Sequence, residues 1–555
     1  MKKALLASLI LFCISRANAQ WTSNTLNNTP VCTFTNDDAN PAAVTDGAGG
    51  TIVVWEDRRS FAYDIYAQKV NAGGVPQWTA NGVGVCTAPY DQLKPFVFAD
   101  GVGGAYIVWS DARISGLNYI YGQHIDTSGT PLWAANGKRL ASNFDCLNLD
   151  VVEDGSGGFF ICYYNVDSYI YGQHIDNQGN KLWGLSDMVI CNSTNVMSQA
   201  NPKMASDGSG GVIITWQDSR TPTPANNKDI YAQRINASGQ IQWPANGVSV
   251  KTGTAYEHLP SIVSDGAGGA IIAWTILSNT PPIGTYAQRI NAAGVRQWPV
   301  EGVTLTTTLS SYVHLLADGT NGALAYWSDY RFETVGNLTQ QVYTQKLDAQ
   351  GVVQWPVNGI SLNDIANYSQ LKPFAYTNGD GSFYFAYTQL SNTSVSGYDK
   401  LYLQKMAPNG DFLWSGNGLG IGTNGYVEHS RPAIVPDNNG GMILAFSKDA
   451  ELSSGNIYVQ NVNADGTVGP NLANVSFNEN ETVRVYPNPA QGQFTVESNV
   501  QLDKIIVMDL LGHEILSVFP KAVNIEIQLN KQAKGVYLVK LISGQNETIK
   551  RLILN

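Results

Sequence analysis

The chain has 555 residues, 43% of them hydrophobic and only 14% charged, with 55 Gly and 13 Trp. So few charges beside so much glycine and aromatic residue exclude a coiled coil and a disordered polyelectrolyte, and the length allows several ordinary domains or one large repeat body. Lys and Arg number 33 against 44 Asp and Glu, a net charge of −11, so the basic footprint that nucleic-acid binding requires is missing.

At the N-terminus Lys2 and Lys3 precede an eleven-residue apolar run, Ala4 to Ile14, and Ala17-Asn18-Ala19 supplies small residues where a signal peptidase reads. The run is too short to span a bilayer, so residues 1–19 are expected to be a cleaved export signal. Cys13 follows Leu11-Phe12, which lacks the small residues of a lipoprotein site. No other stretch is apolar for long enough to form a membrane helix. Five cysteines remain, an odd number without a C-x-x-C; they read as buried single thiols, and the compartment would permit one or two disulfides.

The region 20–470 repeats one motif eight times. Asp-Gly or Asn-Gly stands at Asp46, Asp100, Asp154, Asp207, Asp265, Asp318, Asn378 and Asp437, a period of about 56 residues. Nine residues after each anchor is an aromatic: Trp55, Trp109, Tyr163, Trp216, Trp274, Trp327, Tyr387 or Phe446. A tyrosine follows in the next strand, a glycine eight residues after it, and a tryptophan four further on in seven repeats, from Trp78 to Trp414. Each unit reads as four strands, in the second repeat roughly 94–99, 104–110, 119–126 and 131–142. Asp-Gly-x-Gly-Gly turns the first hairpin and Asn-Ala-x-Gly the third-to-fourth connection. Four-stranded units in this number predict an all-β fold, a single eight-bladed β-propeller. The eighth repeat has Pro470 in place of tryptophan, while Gln20-Trp21 stands alone upstream; the N-terminus is therefore expected to supply the outer strand of the last blade. The tryptophans read as inter-blade core.

Spacing within the repeats locates a functional face. Anchor-to-aromatic and tyrosine-to-glycine distances are constant, whereas the second-to-third-strand loops and the blade crossings vary in length. Both variable segments emerge at one end of an up-and-down blade, where binding loops belong. Three residue sets are expected there. The first is Trp-x-Asp-x-Arg: Asp57 with Arg59, Asp111 with Arg113, Asp218 with Arg220, and Asp329 with Arg331, read either as a ring contacting a ligand or as ion pairs that shape the loops. The second stands eight residues before the anchors: Asp38, Gln92, Gln199, Glu257, Gln370 and His429, which would ring the channel mouth if the first strand lines the axis. The third is His258, His314 and His429 with Glu257 and Glu428, whose unequal offsets argue against zinc. His124 and His174 read as surface residues. No metal or cofactor is called for.

After a linker at 471–482, residues 483–555 read as seven short strands, a small immunoglobulin-like sandwich. Here Tyr486-Pro487-Asn488-Pro489, Gly492 with Phe494-Thr495-Val496, Asp509-Leu510-Leu511-Gly512, Gly535-Val536-Tyr537-Leu538-Val539-Lys540 and the terminal Lys550-Arg551-Leu552-Ile553-Leu554 appear in order. This segment resembles the C-terminal sorting domain of type IX secretion substrates. The resemblance implies a Bacteroidota-type route, with periplasmic transit, then passage through the outer membrane on recognition by the type IX machinery, and a secreted or surface-attached product.

No G-x-S-x-G, H-E-x-x-H, phosphate loop or sialidase-type box occurs, and the arginine two residues beyond each best-placed aspartate favours the ionised carboxylate over a general acid. No catalytic residue is assigned. The expected function is a monomeric exported binding or adhesion protein for a glycan or protein ligand; the alternatives are a hydrolase or lyase acting on polysaccharide and a mainly structural surface protein.

Overall fold

The computed structural model describes residues 21–555 except 35–37, 194–198, 221–226, 278–281, 334–338, 364–367, 379, 392–399, 415, 423–425, 428–431, 450–454, 471–482, 510–512, 530–531 and 544–545. The expected export signal, Glu428, His429, the expected linker at 471–482 and Leu510-Leu511-Gly512 of the sorting motif lie outside the described residues. Two compact units divide the chain, Met1–Pro470 and Asn471–Asn555. Regular structure is all β among the described residues, and no helix there is long and apolar enough to cross a membrane.

The first unit is propeller-like, and its described residues form eight antiparallel sheets. In chain order the first is Asp38–Thr45, Thr51–Asp57, Asp64–Val70 and Val83–Cys86. Its second strand, Thr-Ile-Val-Val-Trp-Glu-Asp, is buried at all seven positions, as expected of a short apolar run covered on both faces. Successive sheets repeat this meander. The eighth departs from it: Met442–Asp449 and Gly455–Val462 are completed on the outside by Thr29–Cys32 from the N-terminus, with Thr29 opposite Val459 and Cys32 opposite Ile457.

The hydrophobic core lies in the seams between sheets. Ile52, Val54 and Ile65 of the first sheet cluster with Ile107 and Trp109 of the second. Equivalent clusters join each following pair, and Ile443, Ala445 and Val459 of the eighth sheet pack with Val53 and Trp55 of the first. Five tryptophans, Trp55, Trp109, Trp216, Trp274 and Trp327, are fully buried here.

The other eight tryptophans pack on the turn of the neighbouring sheet, and five of them, Trp21, Trp243, Trp298, Trp355 and Trp414, are buried in the clusters between sheets. The Trp21 N–H donates to Ala72 O at 2.7 Å, and its ring covers Gly74, where a Cβ would stand 2.8 Å away. Trp78 does the same to Thr127 O and Gly129 one sheet on, and Trp414 to Ala464 O and Gly466. The invariant spacing from tyrosine to glycine thus keeps an indole-sized space open in the turn, and the positive φ of these glycines makes the turn itself possible. Asp46 ends the inner hairpin by accepting the Ala48 and Gly50 N–H groups, each at 2.8 Å.

Two local expectations are corrected. The outer strand of the second sheet is only Lys138–Arg139, preceded by an isolated Ile125–Pro131 bridge, because Trp133 and the Asn136-Gly137 turn interrupt the ladder. His174 is buried, stacked on Phe160 and bonded to Asp154 at 2.8 Å; His124 similarly meets Asp100 at 3.0 Å. These two imidazoles take the place of Arg234 and Arg289, which bind Asp207 and Asp265, so they partner the hairpin aspartate instead of facing solvent.

In the second unit, Val483–Tyr486, Gln493–Leu502 and Ala522–Gln528 form one sheet, and Glu514–Val518, Lys504–Met508, Gly535–Ser543 and Asn546–Leu554 the other. They share one core including Phe494, Val496, Ile505, Val507, Val539 and Leu552.

Candidate functional site

The axis-facing strands carry a regularity beyond the repeat motif. In the first seven sheets they break register at the same place, for example between Leu93 and Phe96, Ala200 and Lys203, and Ser311 and His314. At six of these breaks a non-glycine residue takes positive φ: Asn40 48°, Lys94 55°, Asn148 48°, Asn201 52°, Leu259 51° and Tyr312 54°. Pro41, Pro95, Pro202 and Pro260 follow four of them directly. Proline cannot donate a ladder hydrogen bond, so the strand bulges there. Left-handed backbone on residues with a Cβ is costly, and it persists where surroundings over-determine it, often at functional sites. Neighbouring sheets supply that determination. Glu56 accepts Lys94 N–H at 2.6 Å and Asn40 Nδ2 at 2.9 Å, Gln217 Oε1 accepts Leu259 N–H at 3.3 Å, and Ser261 Oγ accepts Leu315 N–H at 3.0 Å. Burial pushes the Glu56 carboxyl upward, partly offset by the bond from Lys94.

These bulges frame a cavity of about 500 Å³ between the inner strands of the second to sixth sheets. Lys94, Asn118, Asn148, Asn201, Lys203, Tyr312 and His314 line it together with Leu93, Leu147, Leu259 and Phe96. A smaller space of about 260 Å³ adjoins it through Leu259 and Tyr312 and includes His258, Tyr330 and Glu333. His258 is held neutral, its pKa pushed down to about 4 by burial and then by Lys228.

Exposed aromatics gather at the end of the unit that carries the variable loops. Phe34, Tyr90, Phe144 and Tyr256 lie in the crossings between sheets, Phe61 and Phe332 in second-to-third-strand loops, and Tyr312 on the cavity wall. Among the described residues of this unit, Phe412 is the one exposed aromatic at the opposite end.

The Trp-x-Asp-x-Arg residues are placed inside the blades. Asp57 is fully buried; it accepts Trp55 Nε1 at 3.0 Å, Arg59 N and Nε, and pairs with Arg59 Nη2 at 2.5 Å. Arg59 also reaches Asn81 O and lies over the Tyr66 ring. Asp111 with Arg113, Asp218 with Arg220 and Asp329 with Arg331 repeat the arrangement. Ile276 replaces the aspartate in the fifth sheet, and there Trp274 Nε1 has no partner. Each aspartate thus locks its own loop and keeps little acceptor capacity for a ligand.

The second set does not line the channel. Gln92, Gln199, Glu257 and Gln370 are buried at the strand starts, where Gln92 Nε2 donates to Tyr90 O and Gln370 Oε1 accepts Val342 N–H. The three glutamines tether the crossings; the bulge two residues later is what presents side chains to the cavity. Asp38 and Glu257 are fully buried with both carboxylate oxygens unpartnered, and burial raises each pKa to about 8, with the Asp57 charge adding to the effect at Asp38. Cys32, Asp38 and Asp57 lie close enough to consider a metal. Arg59 Nη2 already stands 3.5 Å from Cys32 Sγ, and Asp57 is saturated by Trp55 and Arg59, so the donor set does not fit a cation. Cys32, Cys86, Cys146, Cys162 and Cys191 are free, buried thiols.

Sequence reasoning missed the ring Asn40, Lys94, Asn148, Asn201, Leu259 and Tyr312. A signal was present: Pro41, Pro95, Pro202 and Pro260 each stand five residues before an anchor, and proline in a strand marks a bulge.

In the second unit the sorting motifs meet. Asn488 Nδ2 donates to Arg551 O, Ile553 N–H to Asn488 Oδ1, and Ala490 N–H to Ile553 O, so Tyr486-Pro487-Asn488-Pro489 is bonded to the terminal strand. The Tyr537 hydroxyl donates to Ala533 O, while Lys550 and Arg551 remain exposed.

Residues 484–555 match the family described as secretion system C-terminal sorting domain. The chain therefore carries a type IX sorting tail, which implies interaction with that machinery and export to the cell surface or the extracellular space. No curated protein matches the chain. Among solved structures it is similar to a protein of unknown function from Dyadobacter fermentans DSM 18053 at 9% identity, covering 79% of this chain and 97% of that one, with a TM-score of 0.35. A PL25 ulvan lyase bound to a glucuronate–sulfated-rhamnose oligosaccharide gives 12% identity, 80% and 97% coverage and a TM-score of 0.43. An endo-arabinase from Bacteroides thetaiotaomicron gives 12%, 47% and 94% coverage, and 0.29. At these values the likenesses bear no weight as to activity.

Proposed function

We propose that the exported body is an eight-bladed β-propeller whose variable-loop face binds carbohydrate at the axial cavity. The observation that carries this reading is the segregation of exposed aromatics to that face around a concave site of amide, hydroxyl and ammonium groups. Aromatic rings offer flat apolar surfaces to sugar rings, while Asn118, Asn148, Asn201 and Tyr312 can exchange hydrogen bonds with hydroxyls. The Asp–Arg pairs serve this face indirectly, by holding the loops that bear Phe61 and Phe332. Asp38 and Glu257, whose carboxyl pKa values burial raises to about 8, are sealed within blades, and no carboxylate lines the larger cavity, so binding without turnover is the favoured activity.

The test is migration of the purified full-length protein through native gels cast with different polysaccharides, stained for protein and for polymer. Retardation with the polymer intact supports the reading. Cleared polymer would make the protein a hydrolase or lyase, and unaltered migration in every gel would remove carbohydrate as the ligand.

A further inference from the structure

The cavity has a charge character at odds with the rest of the molecule. The chain carries a net charge of −11, yet no carboxylate lines the larger cavity, whereas Lys94 and Lys203 both do. Two acids bonded to lining residues are already engaged. Glu56, 3% exposed, spends its oxygens on Lys94 N–H and Asn40 Nδ2; Asp150 accepts Met204 N–H with one oxygen and pairs with Lys203 at 2.9 Å through the other. Lys94 is exposed, and no ion pair holds it among the described residues. Its position is fixed by the bulge: φ of 55° and the 2.6 Å bond from its amide to Glu56 set the backbone from which the side chain projects at the mouth. Lys372 occupies the same register position in the seventh inner strand, Tyr368–Thr377, at the break between Leu371 and Phe374.

A cationic concavity in an acidic protein concentrates field where low-dielectric walls surround it, and it selects anionic ligands while the remaining surface repels them. From this juxtaposition, and resting on the carbohydrate reading above, we infer that the ligand is an anionic polysaccharide, carboxylated or sulfated, engaged through Lys94 and Lys203 with its sugar rings against Tyr312. Lys203 already has Asp150 as its counter-charge, so a neutral glycan would leave the Lys94 ammonium desolvated without one and should be discriminated against.

The experiment is affinity electrophoresis and calorimetry of the full-length protein with polygalacturonate, a sulfated galactan and a neutral β-glucan of similar length. The expected result is retention by one or both acidic polymers and not by the neutral one, weakening steeply as salt rises from about 0.05 to about 0.5 M. Lys94→Gln should lower affinity at least tenfold, Lys94→Arg should restore most of it, and Lys138→Gln on the outer strand, the charge-matched control, should have no effect. Comparable, salt-insensitive retention by neutral and acidic polymers would overturn the anionic class and leave the carbohydrate reading standing. Retention by acidic polymers unchanged in a folded Lys94→Gln variant would overturn this site. Absence of binding to any polymer would overturn both readings.

Discussion

Trp21→Ala tests how the first unit is held closed. Seven of the turn-packing tryptophans join sheets that are consecutive in the chain, whereas Trp21 and the N-terminal strand add to the packing of Ile443, Ala445 and Val459 on Val53 and Trp55 at the seam between the eighth and first sheets. Trp21 is 3% exposed, packs in the cluster that spans this seam, and donates to Ala72 O at 2.7 Å. Truncating a buried tryptophan costs about 3–5 kcal/mol, and the lost hydrogen bond adds roughly 1 kcal/mol. Spread over an unfolding entropy of roughly 2.1 cal/mol/K per residue in a unit of about 450 residues, a loss of ~4 kcal/mol lowers Tm by only about 4 °C. Hydrogen exchange is therefore the sharper assay. Amides of Thr29–Cys32 and of their partner strand Gly455–Val462 should lose protection, whereas Trp78→Ala should spare them and loosen the next seam. Unchanged melting with full protection of Thr29–Cys32 in Trp21→Ala would refute the reasoning.

Tyr312→Ala, at an exposed side chain, should weaken polysaccharide retention about tenfold, or ~1.4 kcal/mol, while leaving the melting temperature in place. Arg113→Ala leaves the fully buried Asp111 without its guanidinium and should destabilise by about 3 kcal/mol in denaturant titration, well beyond an exposed pair. Asp38 and Glu257 have folded pKa values raised to about 8, so the native state holds more protons than the unfolded chain between about pH 4 and pH 8, and stability falls as pH rises through that window. The double variant Asp38→Asn, Glu257→Gln should flatten the fall of Tm with pH; curves parallel to the parent would show that neither group is responsible. Asn488→Ala removes both side-chain bonds to the terminal strand and should leave the protein in the periplasm of a type IX-competent host, scored by fractionation.

Much of the architecture was legible because it is periodic. An anchor of Asp-Gly, an aromatic nine residues on and a turn glycine each reflect a requirement met within one hairpin or between adjacent sheets, and eight repetitions average out local ambiguity. The unpaired Trp21 pointed to the N-terminal strand in the same way, since a missing element in one repeat and a surplus one elsewhere complement each other. The sorting tail was legible for a different reason: its ordered motifs occupy separate strand ends and turns, and Asn488 meets Arg551 only because the fold requires both.

The axial site was hidden because a strand's facing depends on register, and a single bulged residue exchanges which side chains meet the core and which meet the axis. Gln92 and Gln199, two residues before the bulge, therefore tether crossings, while Lys94 and Asn201 reach the cavity. Whether an aspartate such as Asp57 serves a ligand or a loop likewise depends on partners distant in sequence, here Asn81 and Cys32 beside Arg59. The sequence by itself determined the repeat unit, the all-β class and the export route, because these rest on local chemistry recurring along the chain. Only the tertiary structure decided which polar residues face the cavity and which are consumed inside the blades, because that depends on contacts between sheets that no single repeat contains.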